Sequence, residues 1–242
     1  MTGTGSTEPA IKTEGSVTIT GTATVLASNS GTGANSGAIA SGNGRNVVIS
    51  GGAFVLAESK GSGAAISAGG DLTITGNAGV TANGYGANSG GTRSGGKTTI
   101  SAGGGVNITS TGTADAIHAA GDVKITSGRN TIKASGAGHA INADNVGITG
   151  GTNTIEASGG GYAINANGTI SITGGYTELT GYGSGTNPYP PAMSGADTVV
   201  IVNGQTIYPG NGNGSGGGGC SAGTSAGALA LPAILWKRRR IK

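Results

Sequence analysis

Residues Asp122–Gly168 read DVKITSGRNTIKASGAGHAINAD and then, nearly in copy, NVGITGGTNTIEASGGGYAINANG. Laid in register, Val123 falls on Val146, Ile125 on Ile148, Ile132 on Ile155 and Ile141 on Ile164. A unit this short cannot bury its own apolar face and must stack on its neighbours, which is the signature of a solenoid.

Outward from this pair, the opening motif recurs as SVTIT (Ser16–Thr20), NVVIS (Asn46–Ser50), DLTIT (Asp71–Thr75), KTTIS (Lys97–Ser101), TISIT (Thr169–Thr173) and TVVIV (Thr198–Val202). Each alternates apolar with mostly polar residues, the pattern of a half-buried strand. The anchors Ile19, Ile49, Ile74, Ile100, Ile125, Ile148, Ile172 and Ile201 follow one another at steps of 23 to 30 residues. A turn and a second strand come next, its apolar residue seven positions past the anchor at Leu26, Leu56, Ile132, Ile155 and Leu179. In the third and fourth units the nearest matches, Val80 and Val106, lie six positions on. A glycine-rich corner leads to a third short strand centred on Ala38-Ile39, Ala65-Ile66, Ala116-Ile117, Ala140-Ile141 and Ala163-Ile164. GYGANSG at Gly84–Gly90 copies GTGANSG at Gly31–Gly37. That puts Thr92 where Ile39 sits and gives two units an enlarged corner. Insertions of this kind project from one edge of a solenoid, often its binding face.

Three strands per coil of about 24 residues predict an all-β fold, a right-handed single-stranded parallel β-helix of about eight coils. It is expected over residues 15–209, after an irregular lead-in (1–14) or remnant of a preceding coil. A disordered Gly-rich linker (210–221) and a short apolar helix (222–242) are expected to follow. Val199–Val202 and Gln205–Tyr208 also read as a closing hairpin over the open sheet edge. The rival reading is disorder, since the chain has 54 Gly and 6 Pro and a single Phe and Trp. The fixed phase of Ile and Val answers it, because a flexible Gly/Ser chain has no reason to keep one.

The net charge of +3 comes from the tail: five of the 13 Lys and Arg lie in the last six residues. The body is mildly acidic, so nucleic acid, which wants a basic stripe, is not an expected partner. One cysteine, Cys220, excludes an intramolecular disulfide framework. MTGTGSTEPAIKTEG lacks the charged and apolar regions of a secretory signal, whereas the C-terminal tail implies export; the expected reconciliation is that the chain is the C-terminal part of a longer, secreted precursor.

The tail, GNGNGSGGGGCSAGTSAGALALPAILWKRRRIK, joins glycines, a lone cysteine, a short apolar run and a basic end. It resembles bacterial C-terminal sorting signals of the Synerg-CTERM and Myxo-CTERM type. The resemblance implies processing by a sorting protease near Gly219-Cys220, with Lys237, Arg238, Arg239 and Arg240 holding the precursor's end on the cytoplasmic side. It also implies display at the cell surface or secretion. A plain C-terminal membrane anchor is the alternative.

Catalysis would need clustered acids, and those of the body are scattered: Glu58, Asp71, Asp115, Asp122, Asp144 and Glu156. Stacking would bring Asp122 near Asp144 or Asp115, yet no two acids share a strand. His118 falls in one column with Ser67, Asn142 and Asn165, an outward polar ladder. His139 falls in another column, which argues against a shared metal. Asn142 and Asn165, with Tyr162, Tyr176 and Tyr182, are the candidate ligand-binding residues, since sugar recognition uses aromatic faces beside amides. GHAINAD and GYAINANG resemble secreted β-helical carbohydrate-binding domains and surface adhesins. That resemblance implies a polysaccharide or cell-surface ligand, and Ca²⁺ in domains that carry acids before the third strand. Only Asp115 fits that position here, so no cofactor is expected. The sequence thus points to a non-catalytic, carbohydrate-binding or adhesive solenoid. The alternatives are a polysaccharide lyase or hydrolase, and a structural stalk.

Overall fold

The computed structural model describes the strand segments 2–3, 193–195, 199–202 and 205–209 by their backbone, and residues 7–33 and 35–181 with side chains. Its strands form three parallel sheets in which each strand pairs with the strand one coil away, never with its sequence neighbour. The first sheet holds seven strands, from Val17–Ile19 to Ile170–Ile172. The second holds eight, from Thr2–Gly3 to Tyr176–Gly181, and the third eight, from Ile11–Lys12 to Met193–Gly195. This is a parallel β-solenoid of about seven turns, with the expected three strands to a coil.

The isoleucine anchors stack as the repeat predicts. Ile19 pairs with Ile49, Ile49 with Ile74, Ile74 with Ile100, Ile100 with Ile125, Ile125 with Ile148 and Ile148 with Ile172. The eighth anchor departs from this. Val199–Val202 pairs antiparallel with Gln205–Pro209, so it forms the closing hairpin and adds no eighth strand to the first sheet. At the other end the lead-in is a partial coil: Thr2–Gly3 pairs with Ser28–Asn29 and Ile11–Lys12 with Ile39–Ala40. Tyr182 and the segments 210–221 and 222–242 lie outside the described residues.

In the second strand the structure corrects the phase. Leu26 pairs with Leu56, Leu56 with Thr81, Thr81 with Asn107 and Asn107 with Thr131, an outward column in which Leu26 is 55 % exposed. The inward column is Ala27, Ala57, Ala82, Ile108, Ile132 and Ile155. Because side chains alternate with period two, an alignment one residue off sends a core residue to solvent. Val80 and Val106 belong to a second inward column, Val25, Val55, Val80, Val106, Asn130 and Asn153, which turns from valine to asparagine along the stack. These asparagines are linked along the stack: Asn130 Nδ2 donates to Asn153 Oδ1 at 2.8 Å and Asn153 Nδ2 to Thr177 Oγ1 at 3.1 Å, while Asn130 Oδ1 has no hydrogen-bond partner among the described residues.

The core is almost wholly aliphatic: Leu72 and isoleucines such as Ile49, Ile74, Ile117 and Ile141 are its largest fully buried side chains. Each contributes about 1.5–3 kcal/mol on burial. Glycine has a local task at the corners. Gly76 ends the strand Leu72–Gly76 with φ 69, where the chain enters the next turn, and a Cβ on Gly86 would run into the Gly61 carbonyl of the previous coil.

Candidate functional site

In the third sheet the strands turn Ile39, Ile66, Ile117, Ile141 and Ile164 inward, so the next residue of each faces out. The pairing makes those residues one column: Lys12, Ala40, Ser67, Arg93, His118, Asn142 and Asn165. The ladder expected from Ser67, His118, Asn142 and Asn165 is therefore present, with Arg93 inserted in it. Ser67, His118, Asn142 and Asn165 are half-buried, Arg93 is exposed, and the amides are oriented by a chain of bonds. Asn142 Nδ2 donates to Asp115 Oδ2 at 2.8 Å, and Asn165 Nδ2 donates to Asn142 Oδ1 at 3.2 Å.

Asp115 anchors this chain from the corner just before the third strand. Its Oδ2 also meets His118 Nδ1 at 3.1 Å, and its Oδ1 accepts the His139 backbone N–H at 2.8 Å. Burial pushes the Asp115 carboxyl up, but the bonds from His118, Asn142 and the His139 amide outweigh it and hold the group below the ordinary aspartate value. One coil on, His139 Nδ1 accepts the Tyr162 backbone N–H at 2.9 Å, and the two rings stack with centroids 5.4 Å apart and planes 11° from parallel. Burial depresses the His139 imidazole below its usual value, against the attraction of Asp115. The two histidines sit in different columns, as the sequence implies, yet they share one carboxylate. Asp115 does not suit Ca²⁺, which takes six to eight oxygen ligands: both of its oxygens accept hydrogens from nitrogen donors. Among the described residues no group of three or more His, Cys, Asp or Glu side chains could hold a metal ion.

Toward the N-terminal coils the same face opens into a groove of about 530 Å³. Ala40 and Ser67, the smallest members of the outward column, form part of its floor; Lys12, Arg93 and His118 also line it. Asn35 and Asn88, equivalent positions in the two enlarged corners, line it too. From Lys12 to His118 are four coil steps of about 4.8 Å, so the groove runs roughly 19 Å along the stack. Lys12 is paired with Glu8 at 2.8 Å, whereas Arg93 makes no ion pair or side-chain hydrogen bond among the described residues.

Three of the five sequence-derived ligand residues, Asn142, Asn165 and Tyr162, thus come together on this face. Tyr176 does not: it opens a second-sheet strand opposite Thr152 and is 61 % exposed. Tyr182 and the tail residues Gly219, Cys220, Lys237, Arg238, Arg239 and Arg240 lie outside the described residues. Of the scattered acids, Asp71 Oδ1 accepts the Lys97 N–H, Asp122 Oδ1 the Asn145 amide and Asp144 Oδ1 the Asn167 amide. These are clips between successive coils. Asp122 bonds Asn145, and the neighbouring Asp144 lies alongside, its N–H bonded to the Gly121 carbonyl at 3.0 Å. Glu156 pairs with Lys133 at 3.0 Å across neighbouring second strands. The sequence reading missed Arg93, Asn35, Asn88 and the hub role of Asp115. The copied GANSG corners carried the signal for the two asparagines, and the placing of Thr92 on Ile39 carried it for its neighbour Arg93.

The chain matches no family model, and no curated protein or solved structure matches it. Its chemistry must therefore be read from the face itself. Among the described residues no helix is long and apolar enough to cross a membrane.

Proposed function

We propose that this protein is a non-catalytic, surface-displayed β-solenoid that binds an extended glycan along its third face. The observation that carries the reading is the continuity of that face: a groove edged by Asn35 and Asn88 runs into the bonded ladder of His118, Asn142 and Asn165. Sugar hydroxyls are met well by amides and hydroxyls held in fixed geometry, because little side-chain entropy remains to be lost on binding. Tyr162 adds an aromatic ring beside Asn142 and Asn165. The resemblance of the tail to a sorting signal supports display through processing at Gly219-Cys220 by a sorting protease, with a membrane-held precursor before it. An adhesive role toward a host or cell-surface glycan uses the same face.

One observation favours a second reading, a polysaccharide lyase or hydrolase: Asp115 and His118 form an acid–imidazole pair at 3.1 Å. Against it, the carboxylate is filled by three donors, and among the described residues no second acid joins the pair. A glycan array and pull-down of the full chain on insoluble polysaccharides test the proposal. Retention on at least one glycan, with no new reducing or unsaturated ends released, is the expected result. Absence of retention on every glycan would leave a structural stalk or a protein-binding adhesin, and released ends would favour the enzyme.

A further inference from the structure

In two coils the corner residue before the third strand, Asp115 and then His139, carries an inter-coil clip, and in the second of them that clip is a titratable ring. Asp115 Oδ1 accepts the N–H of His139 in the next coil, and His139 Nδ1 accepts the N–H of Tyr162 in the coil after. The carbonyl of Tyr162 is engaged by the Ala140 N–H at 3.0 Å, but its own N–H meets no backbone carbonyl among the described residues; its acceptor is the imidazole. A backbone N–H only donates, so Nδ1 must carry the lone pair and the proton must sit on Nε2. An imidazolium has no lone pair to offer.

We infer that His139 is a pH-operated clasp: protonation at Nδ1 releases the Tyr162 amide and loosens the two coils that carry Asn142 and Asn165. The charged group facing the ring is Asp115, from the coil before, which is shared with His118. The coil after contributes the neutral Tyr162 ring. Stacking on tyrosine tolerates a cation, so the ring can stay in place while two N–H groups come to oppose each other. The sign follows from linkage. The folded imidazole sits below its unfolded value of about 6.5, so its contribution to stability is complete above that pH and is lost as pH falls through the folded value. Asp115, held below the ordinary aspartate range, remains ionised through that window, so the other end of the chain of bonds persists.

The consequence for ligand binding rests on the proposed glycan face; the clasp itself does not. Amide hydrogen exchange on the full chain separates the two. After correction for intrinsic exchange, protection of the Tyr162 N–H should fall at least about tenfold between about pH 7.5 and about pH 4.5. His139→Asn, whose Oδ1 accepts without titrating, should keep its protection at both pH values, and His139→Ala should be poorly protected at both. With only two histidines in the chain, nitrogen-15 NMR reads the tautomer directly, and Nε2–H is expected for His139 at the higher pH. Unchanged wild-type protection, an equal fall in His139→Asn, or an Nδ1–H tautomer would overturn the clasp. If the clasp opens yet no polysaccharide is retained at either pH, the glycan reading fails alone. If polysaccharide is retained and the clasp does not open, the inference fails alone.

Discussion

Thr92 offers a test of the register in which the sign of the effect is the informative part. It stands in the inward column of the third sheet between Ile66 and Ile117, is 1 % exposed, and its Oγ1 has no hydrogen-bond partner. A buried hydroxyl without a partner costs about 1–3 kcal/mol by protein mutational measurements. Thr92→Val keeps the branched shape and replaces the hydroxyl by a methyl that packs between two isoleucines. We take the lower part of that range, about 1–2 kcal/mol of stabilisation. An ordered domain of 150–250 residues gains about 2–4 °C in Tm per kcal/mol, so the melt should rise by roughly 2–8 °C. Circular dichroism in the strand region, on wild type and Thr92→Val side by side, gives the number. The outward neighbour serves as control, since Arg93→Val should move Tm little. A Tm lowered by Thr92→Val, or raised as much by Arg93→Val, would refute the inward assignment of this column.

Other substitutions probe the remaining elements. Ile141→Ala removes a fully buried side chain between Ile117 and Ile164 and should cost about 2–5 kcal/mol; an unchanged denaturant midpoint would contradict the stack. Leu26→Gln alters an outward residue and should stay within about 0.5 kcal/mol of wild type, whereas a core leucine would cost several times that. For Asp71, whose Oδ1 accepts the Lys97 N–H, Asn should substitute well and Ala should cost about 0.5–1.5 kcal/mol, read by chemical denaturation. Asp115 has a depressed folded pKa, so it stabilises the protein above about pH 3.9 and loses that contribution as pH falls through the folded value. Asp115→Asn should flatten the acid limb of a stability–pH curve; an unaltered limb would remove Asp115 as the hub.

Much of this architecture is legible in the sequence, because the two best repeats share a fixed phase of isoleucine. The first-sheet column from Ile19 to Ile172, the Thr92 substitution in the isoleucine column and the Ser67–His118–Asn142–Asn165 ladder all follow from that phase. The second strand was harder, since Leu26, Leu56, Val80 and Val106 are all apolar while Asn130 and Asn153 are buried. Hydrophobicity alone then favours an alignment displaced by one residue, and buried amides that bond each other leave no apolar mark. The hub on Asp115 was hidden for a different reason. Its partners His118, His139 and Asn142 come from two coils and two columns, and one of the three bonds is made by a backbone N–H, which leaves no mark in a pattern of side chains. Val199–Val202 carries the strand motif, but pairing with Gln205–Pro209 claims it for a hairpin.

The proposed binding face is tested most directly by depletion of the full chain onto the glycan that retains it best, with substitutions placed face by face. The triple change Arg93→Ala, Asn142→Ala, Asn165→Ala removes polar partners from the third face, and Lys124→Ala removes an exposed cation from the first. At about 0.5–1.5 kcal/mol for each lost hydrogen bond, the triple change should weaken binding at least about tenfold. Lys124→Ala should leave it unchanged. Equal affinity in the triple variant and wild type, with the fold intact by circular dichroism, would contradict recognition by the third face.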